Sequence, residues 1–190
     1  MDFLLVGLGN PGERYSQTRH NAGFLVLDAL ARRAGVRFSR RAADARSATV
    51  RLEGRHVVLA KPQTYMNASG TAVAGLVRRH AIPLERLLIV SDDMDLPLGA
   101  LRLRRGGGSG GHHGLDSIIA ALGTKDFARL RLGVGRPAGG AVDHVLGRFS
   151  PDERERFQQA VARATEAVLL FLRDGLEAAM NTYNRTAGEP

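Results

Sequence analysis

The chain has 190 residues, 44% of them hydrophobic, which is enough for a sizeable core. It contains no cysteine, so disulfides and thiolate nucleophiles are excluded, as suits a reducing cytoplasm. A formal net charge of +8 leaves two readings open, a solvated basic surface and a polyanionic partner.

Met1-Asp2 lacks a basic start, and the apolar run Phe3–Leu8 is too short for a secretory core. No apolar run approaches the roughly 20 residues of a membrane span. Phe3–Leu8 reads instead as a buried strand that feeds a glycine-rich turn, Gly7-Leu8-Gly9-Asn10-Pro11-Gly12. Asn21–Ala34 has helical apolar spacing through Phe24, Leu27, Leu30 and Ala31, with Gly35 as a stop. Arg46–Leu52 and His56–Ala60 form a predicted strand pair around Glu53-Gly54. Ser69–His80 reads as a helix, and Leu87–Val90 as a strand closing on the acidic turn Ser91-Asp92-Asp93-Met94-Asp95. Leu101–Arg105 alternates as a strand does, Gly106–Gly111 is the most flexible segment, Gly114–Leu122 is helical and Leu130–Val134 strand-like. A capping box at Ser150-Pro151-Asp152-Glu153 opens a long amphipathic helix to about Arg173, and a shorter helix follows with Met180 and Tyr183 as anchors. The alternation of strands and helices predicts one α/β domain over residues 1–190. It has a twisted, mixed sheet flanked by helices and a long C-terminal amphipathic helix.

Gly7-x-Gly9-x-x-Gly12 fits the dinucleotide-binding fingerprint letter for letter. Its context does not. A pyrophosphate site needs the third glycine inside the following helix, and here Pro11-Gly12 makes a turn while the helix starts near Asn21. Asp28, at roughly the spacing of the ribose-binding acid, falls in mid-helix.

Polar groups gather after the apolar strands: Asn10 after the first, Lys61 to Asn67 after the second pair, and Asp92-Asp93 after Leu87–Val90. Parallel neighbours would open all of them onto one sheet edge. His20 held by Asp92 would be a general base near neutral pH, and amides such as Asn10 and Asn67 suit a peptide-like ligand. No serine has a nucleophile-elbow context, so water attack aided by a base is the simplest chemistry. A metal site at Asp92-Asp93-Met94-Asp95 lacks a spaced histidine partner, and the adjacent pair His112-His113 is poorly placed to share an ion. The glycines at 106–111, flanked by Arg102, Arg104 and Arg105, form either a mobile loop or a backbone cradle for phosphate. The basic stretch Arg37–Arg46 is open between solvation and RNA contact.

Five segments then carry a resemblance: VGLGNPGERYSQTRHNAGF at 6–24, KPQTYMNASG at 61–70, DDMDLPLG at 92–99, GGGSGGHHGL at 106–115 and RLRLGVGRP at 129–137. Together and in this order they resemble bacterial peptidyl-tRNA hydrolase over nearly the whole chain. The resemblance implies cleavage of the ester that joins a peptide to the terminal ribose of tRNA, without metal or cofactor. It implies His20 as catalytic base, Asp92 as its carboxylate, and Asn10 as the residue that separates blocked from free aminoacyl ends. It further implies substrate positions at Tyr65 and Asn67, a tRNA contact at Tyr15, and basic contacts at Arg102, Arg104 and Arg131. The implied partner is peptidyl-tRNA; the absence of cysteines and of long apolar runs points to the cytoplasm and no membrane, and the mostly polar outer face of the C-terminal helices to a monomer with no obligate protein partner.

The chain departs from the family pattern once. Where the glycine loop usually continues Gly-His-Asn-Gly, it reads Gly111-His112-His113-Gly114, which puts an imidazole at the substrate-contacting amide position. A neutral imidazole still offers one donor and one acceptor. The alternative on the same fold is a catalytically silent RNA-binding adaptor, against which the joint presence of Asn10, His20, Asn67 and Asp92 argues.

Overall fold

The computed structural model describes residues 1–136 and 140–184. Seven strands form one mixed sheet in the order β2-β3-β4-β1-β5-β7-β6. The strands are β1 (Phe3–Gly7), β2 (Arg40–Ala42), β3 (Ala45–Leu52), β4 (Arg55–Pro62), β5 (Leu87–Asp93), β6 (Leu101–Arg104) and β7 (Ala128–Gly133). The central four, β4, β1, β5 and β7, are parallel, and β3, β2 and β6 run antiparallel to their neighbours.

Helices α1 (Ala22–Arg33) and α5 (Pro151–Asp174) cover one face with α6 (Leu176–Tyr183), while α2 (Ser69–His80) and α3 (His113–Leu122) cover the other. The side-chain period of two splits the central strands between the two cores. Leu5, Leu88 and Val90 pack with α1 and α5, and Leu4, Val6 and Ile89 pack with Val73, Leu76, Leu115 and Ile118. The central strands therefore read as unbroken apolar runs, as strands buried on both faces must. Met180 and Tyr183 do pack against the first core. The predicted helix at 69–80 and the Ser150 capping box both stand, with Ser150 Oγ accepting from Glu153 N–H.

Two elements escaped the sequence reading. β2 is three residues with no apolar alternation, and α4 (Ala141–Val145) spans barely one turn and a half. β5 also runs three residues past its apolar part, because Ser91, Asp92 and Asp93 continue the ladder to β7.

The glycine fingerprint is a packing device. A Cβ on Gly7 would lie 2.3 Å from the carbonyl oxygen of Gly23, and one on Gly23 would lie 2.3 Å from both Leu8 N and Val90 O. These absences let α1 start directly against the ends of β1 and β5, where Phe24 N–H donates to Leu8 O and Leu8 N–H to Val90 O. The loop after β1 and the start of α1 thus meet at the C-terminal end of the sheet, where open α/β sheets place ligands.

Candidate active site

The segment before α1 is a single 3-10 turn, Arg19–Asn21, and all three side chains are buried. Asn21 turns back on the loop after β1. Its Oδ1 accepts from Asn10 N–H at 2.8 Å and its Nδ2 donates to Asn10 O at 3.0 Å. Asn10 is fixed a second time, since its Oδ1 accepts from Met66 N–H at 2.8 Å. That bond sets the amide, leaving Nδ2 without a donor role toward any described residue.

His20 takes the other direction. Its Nδ1 lies 2.8 Å from Asp92 Oδ1, at the end of β5. The same oxygen receives His112 Nε2 at 2.9 Å. His112 caps α3: its Nδ1 accepts from Gly114 N–H and Leu115 N–H at 3.1 and 3.3 Å, two of the orphan donors of the helix start. With Nδ1 spent as an acceptor, His112 donates from Nε2. Asp92 is fully buried, and burial alone would raise its pKa. The attraction and hydrogen bonds of His112 and His20 outweigh that and hold the carboxyl well below its usual range. An ionised carboxylate only accepts, so His20 must donate from Nδ1 and, when neutral, keep its lone pair on Nε2.

His20, Asp92, His112, His113 and Arg131 line one cleft of about 600 Å³, together with Met94 and, on α4, Val142 and Val145. Arg131 Nε is ion-paired with Asp93 Oδ2 at 2.9 Å. The period of two thus gives adjacent residues separate tasks, Asp92 toward the histidines and Asp93 toward the arginine. His20, Asp92 and His112 also bring one ligand atom each within 4.8 Å of one another, the donor set a divalent ion would meet. Both nitrogens that face Asp92 are N–H donors, so an ion would have to displace two protons.

The other expected residues surround this cleft. Asn10 opens onto a neighbouring groove with Arg46, Lys61 and Gln63. Asn67 and Tyr65 are exposed at the 3-10 turn that precedes α2, and Tyr15 is half-buried beside Arg14. His113 is exposed in the first turn of α3, at the cleft rim. Arg102 and Arg104 sit on β6, the edge strand beyond β7. Pro137, the last residue of the fifth motif, lies outside the described residues.

The sequence reading singled out His113, which stands at the cleft rim, and gave no role to His112, which joins Asp92. The available signal was position, since a polar residue just before an apolar helix is an N-cap. A second omission is Arg19. It is 8% exposed, donates to Arg148 O at 2.9 Å and pairs with Glu153 at 2.8 Å, tying the His20 turn to the start of α5.

The family model described as peptidyl-tRNA hydrolase matches residues 4–190. The peptidyl-tRNA hydrolase of Chloroflexus aurantiacus is 51% identical over 185 residues, covering 96% of this chain and 98% of that one. That of Nocardia farcinica is 52% identical over 181 residues, with 94% of each chain covered. The crystal structure of the Acinetobacter baumannii peptidyl-tRNA hydrolase superposes with a TM-score of 0.91 at 38% identity, covering 96% of this chain and 94% of that one. The adaptor reading finds no support among these relatives. On sequence and fold together, the chain belongs to the peptidyl-tRNA hydrolase family.

Proposed function

We propose that this chain hydrolyses the ester between an N-blocked aminoacyl or peptidyl group and the terminal ribose of tRNA. The observation that carries the reading is the buried His20–Asp92 pair at the cleft wall, which leaves His20 Nε2 as a base. His20 takes a proton from water, and the water oxygen attacks the ester carbonyl carbon. The tetrahedral intermediate collapses, the bond to the ribose oxygen breaks, and the imidazolium returns the proton to that oxygen. Asp92 stabilises the imidazolium while it exists, and His112 holds Asp92 in place. No metal or cofactor takes part.

Asn10 Nδ2, turned outward by the Met66 bond, donates to a substrate carbonyl oxygen. A blocked end offers that acceptor beside the ester, whereas a free ammonium does not. Asn67, Tyr65, Tyr15 and His113 border the substrate, and Arg102, Arg104 and Arg131 meet phosphates without reading sequence. The protein acts as one domain and as a monomer in the cytoplasm. No described helix is long and apolar enough to cross a membrane.

The test is release of acyl group from N-acetyl-aminoacyl-tRNA and from free aminoacyl-tRNA by the purified protein. Cleavage of the first and sparing of the second supports the reading. Tight tRNA binding with no release from either contradicts it and favours the adaptor.

A further inference from the structure

The chain concentrates its charge at one place that the proposed reaction does not use. Between Arg32 and Arg55 there are eight arginines and two acidic residues, so six of the eight net positive charges fall in 24 residues. Arg40, Arg41, Arg46 and Arg51 fall on the β2–β3 hairpin, at the opposite edge of the sheet from Arg102 and Arg104, while Arg32 and Arg33 end α1 and Arg55 starts β4. Arg41 stands directly across from Arg46, and Arg46 directly across from Lys61. Like charges opposed on adjacent strands are destabilising. Lys61 is neutralised by Asp28, but Arg40, Arg41, Arg46 and Arg79 have no acidic partner among the described residues.

The hairpin also stores strain. Its turn residues Ala43 and Asp44 have φ of 49° and 54°, a left-handed pair that asparagine and glycine adopt more cheaply. β2 adds little to the core in return, since Arg40 and Arg41 are exposed. On the α2 side, Arg40, Arg41, Arg79 and His80 line a groove with Ser47 and Thr49, and no acidic residue lines it. Burial lowers the His80 pKa first, and the field of Arg79 and Arg40 lowers it further. Charge on an edge strand deters edge-to-edge pairing, but either sign does that. One sign, opposed to itself and set beside two hydroxyl side chains, fits an anion with many oxygens.

We propose that the β2–β3 edge, with Arg40, Arg41 and Arg79, binds phosphates of the tRNA body while the acyl end lies at His20. This rests on the proposed function for the acyl end alone. With strands about 4.8 Å apart, β2 lies about 14 Å to the side of β1, and a trinucleotide substrate separates a contact to the tRNA body from one to its CCA end.

The double charge reversal Arg40→Glu/Arg41→Glu keeps a charged edge and inverts its sign. Its Kd for tRNA is compared with that of the unchanged protein across a salt series. In parallel, turnover is measured on N-acetyl-aminoacyl-tRNA and on an N-acetyl-aminoacyl ester of a CCA trinucleotide. The expected result is a Kd and KM for tRNA raised roughly tenfold or more, and a salt slope flatter by about one to two. Turnover of the trinucleotide ester stays unchanged, and the Tm does not fall, since Arg41→Glu relieves the opposition to Arg46. If the reversal unfolds the protein, Arg40→Gln/Arg41→Gln carries the same expectation with a smaller shift. Unchanged Kd and salt slope overturn the proposal, and so does an equal loss on both substrates. If the unaltered protein cleaves neither substrate, the proposed function fails, and the tRNA-binding arm still decides this inference.

Discussion

His20 and His112 donate to the same oxygen, Oδ1 of Asp92, at 2.8 and 2.9 Å, with ring centroids 5.0 Å apart. One carboxylate therefore sets the tautomer of His20 and is itself set by His112, whose other nitrogen is locked by the first turn of α3. The base is aimed from the sheet and from a helix start at once.

Asp92→Asn removes the charge that stabilises the His20 imidazolium, while its one amide oxygen still accepts from both histidines. We expect kcat for acyl release to fall roughly 10²–10⁴-fold with little change in KM. Steady-state kinetics on N-acetyl-aminoacyl-tRNA check this. A rise in KM at constant kcat would make Asp92 a binding group.

His112→Ala loses both the cap of α3 and the second donor to Asp92. The cap contributes about 1 kcal/mol, and kcat should drop roughly tenfold to a hundredfold, as for groups that orient a reacting side chain. His112→Asn restores the cap and the Tm, while its shorter side chain leaves kcat low. Recovery of both together would mean that His112 acts through helix stability alone.

The pH dependence follows from signs. The Asp92 pKa is depressed in the folded state, so its contribution to stability is complete above the unfolded value of about 3.9 and is lost as pH falls through the folded one. Glu153 is also depressed, chiefly by the Ser150 backbone N–H and then by Arg19, and loses its contribution below about pH 4.3. Asp92 thus stays ionised throughout the neutral range, so its own protonation does not shape kcat/KM there. Thermal melts from pH 3 to 8 should be flat down to about pH 5 and then drop. Glu153→Gln should shallow the drop without moving the kinetic profile.

Arg19→Met leaves Glu153 and the Arg148 carbonyl without their buried donor. A loss on the order of 2 kcal/mol, or about 4–8 °C in Tm, is expected. The His20 turn is released from α5, so kcat falls more than KM rises. Calorimetry and steady-state kinetics read the two effects separately.

His113→Asn restores the amide usual in the family at an exposed rim position. Stability should move by less than about 0.5 kcal/mol and activity should persist. A greatly increased turnover would show that the natural histidine is a handicap.

The strands that became the central sheet were legible because each is a short apolar run closed by a polar cluster, as at Leu87–Val90. Asn10, His20 and Asp92 were legible as polar groups at those strand ends. His112 was not, because its role depends on α3 meeting the end of β5, a contact between residues 20 positions apart. Arg19 was hidden for the same reason, since its partner Glu153 lies 134 residues away and the sequence shows Glu153 only as half of a capping box. β2 carries no periodicity to read: its pairing is imposed by the left-handed turn at Ala43-Asp44.

The central claim is that His20 moves the proton, and His20→Ala tests it most directly. Single-turnover acyl release from N-acetyl-aminoacyl-tRNA is measured beside tRNA affinity for the variant and the unaltered protein. The account predicts a rate lowered at least roughly 10²-fold with tRNA affinity nearly unchanged. A variant that releases peptide at a near-normal rate would contradict it.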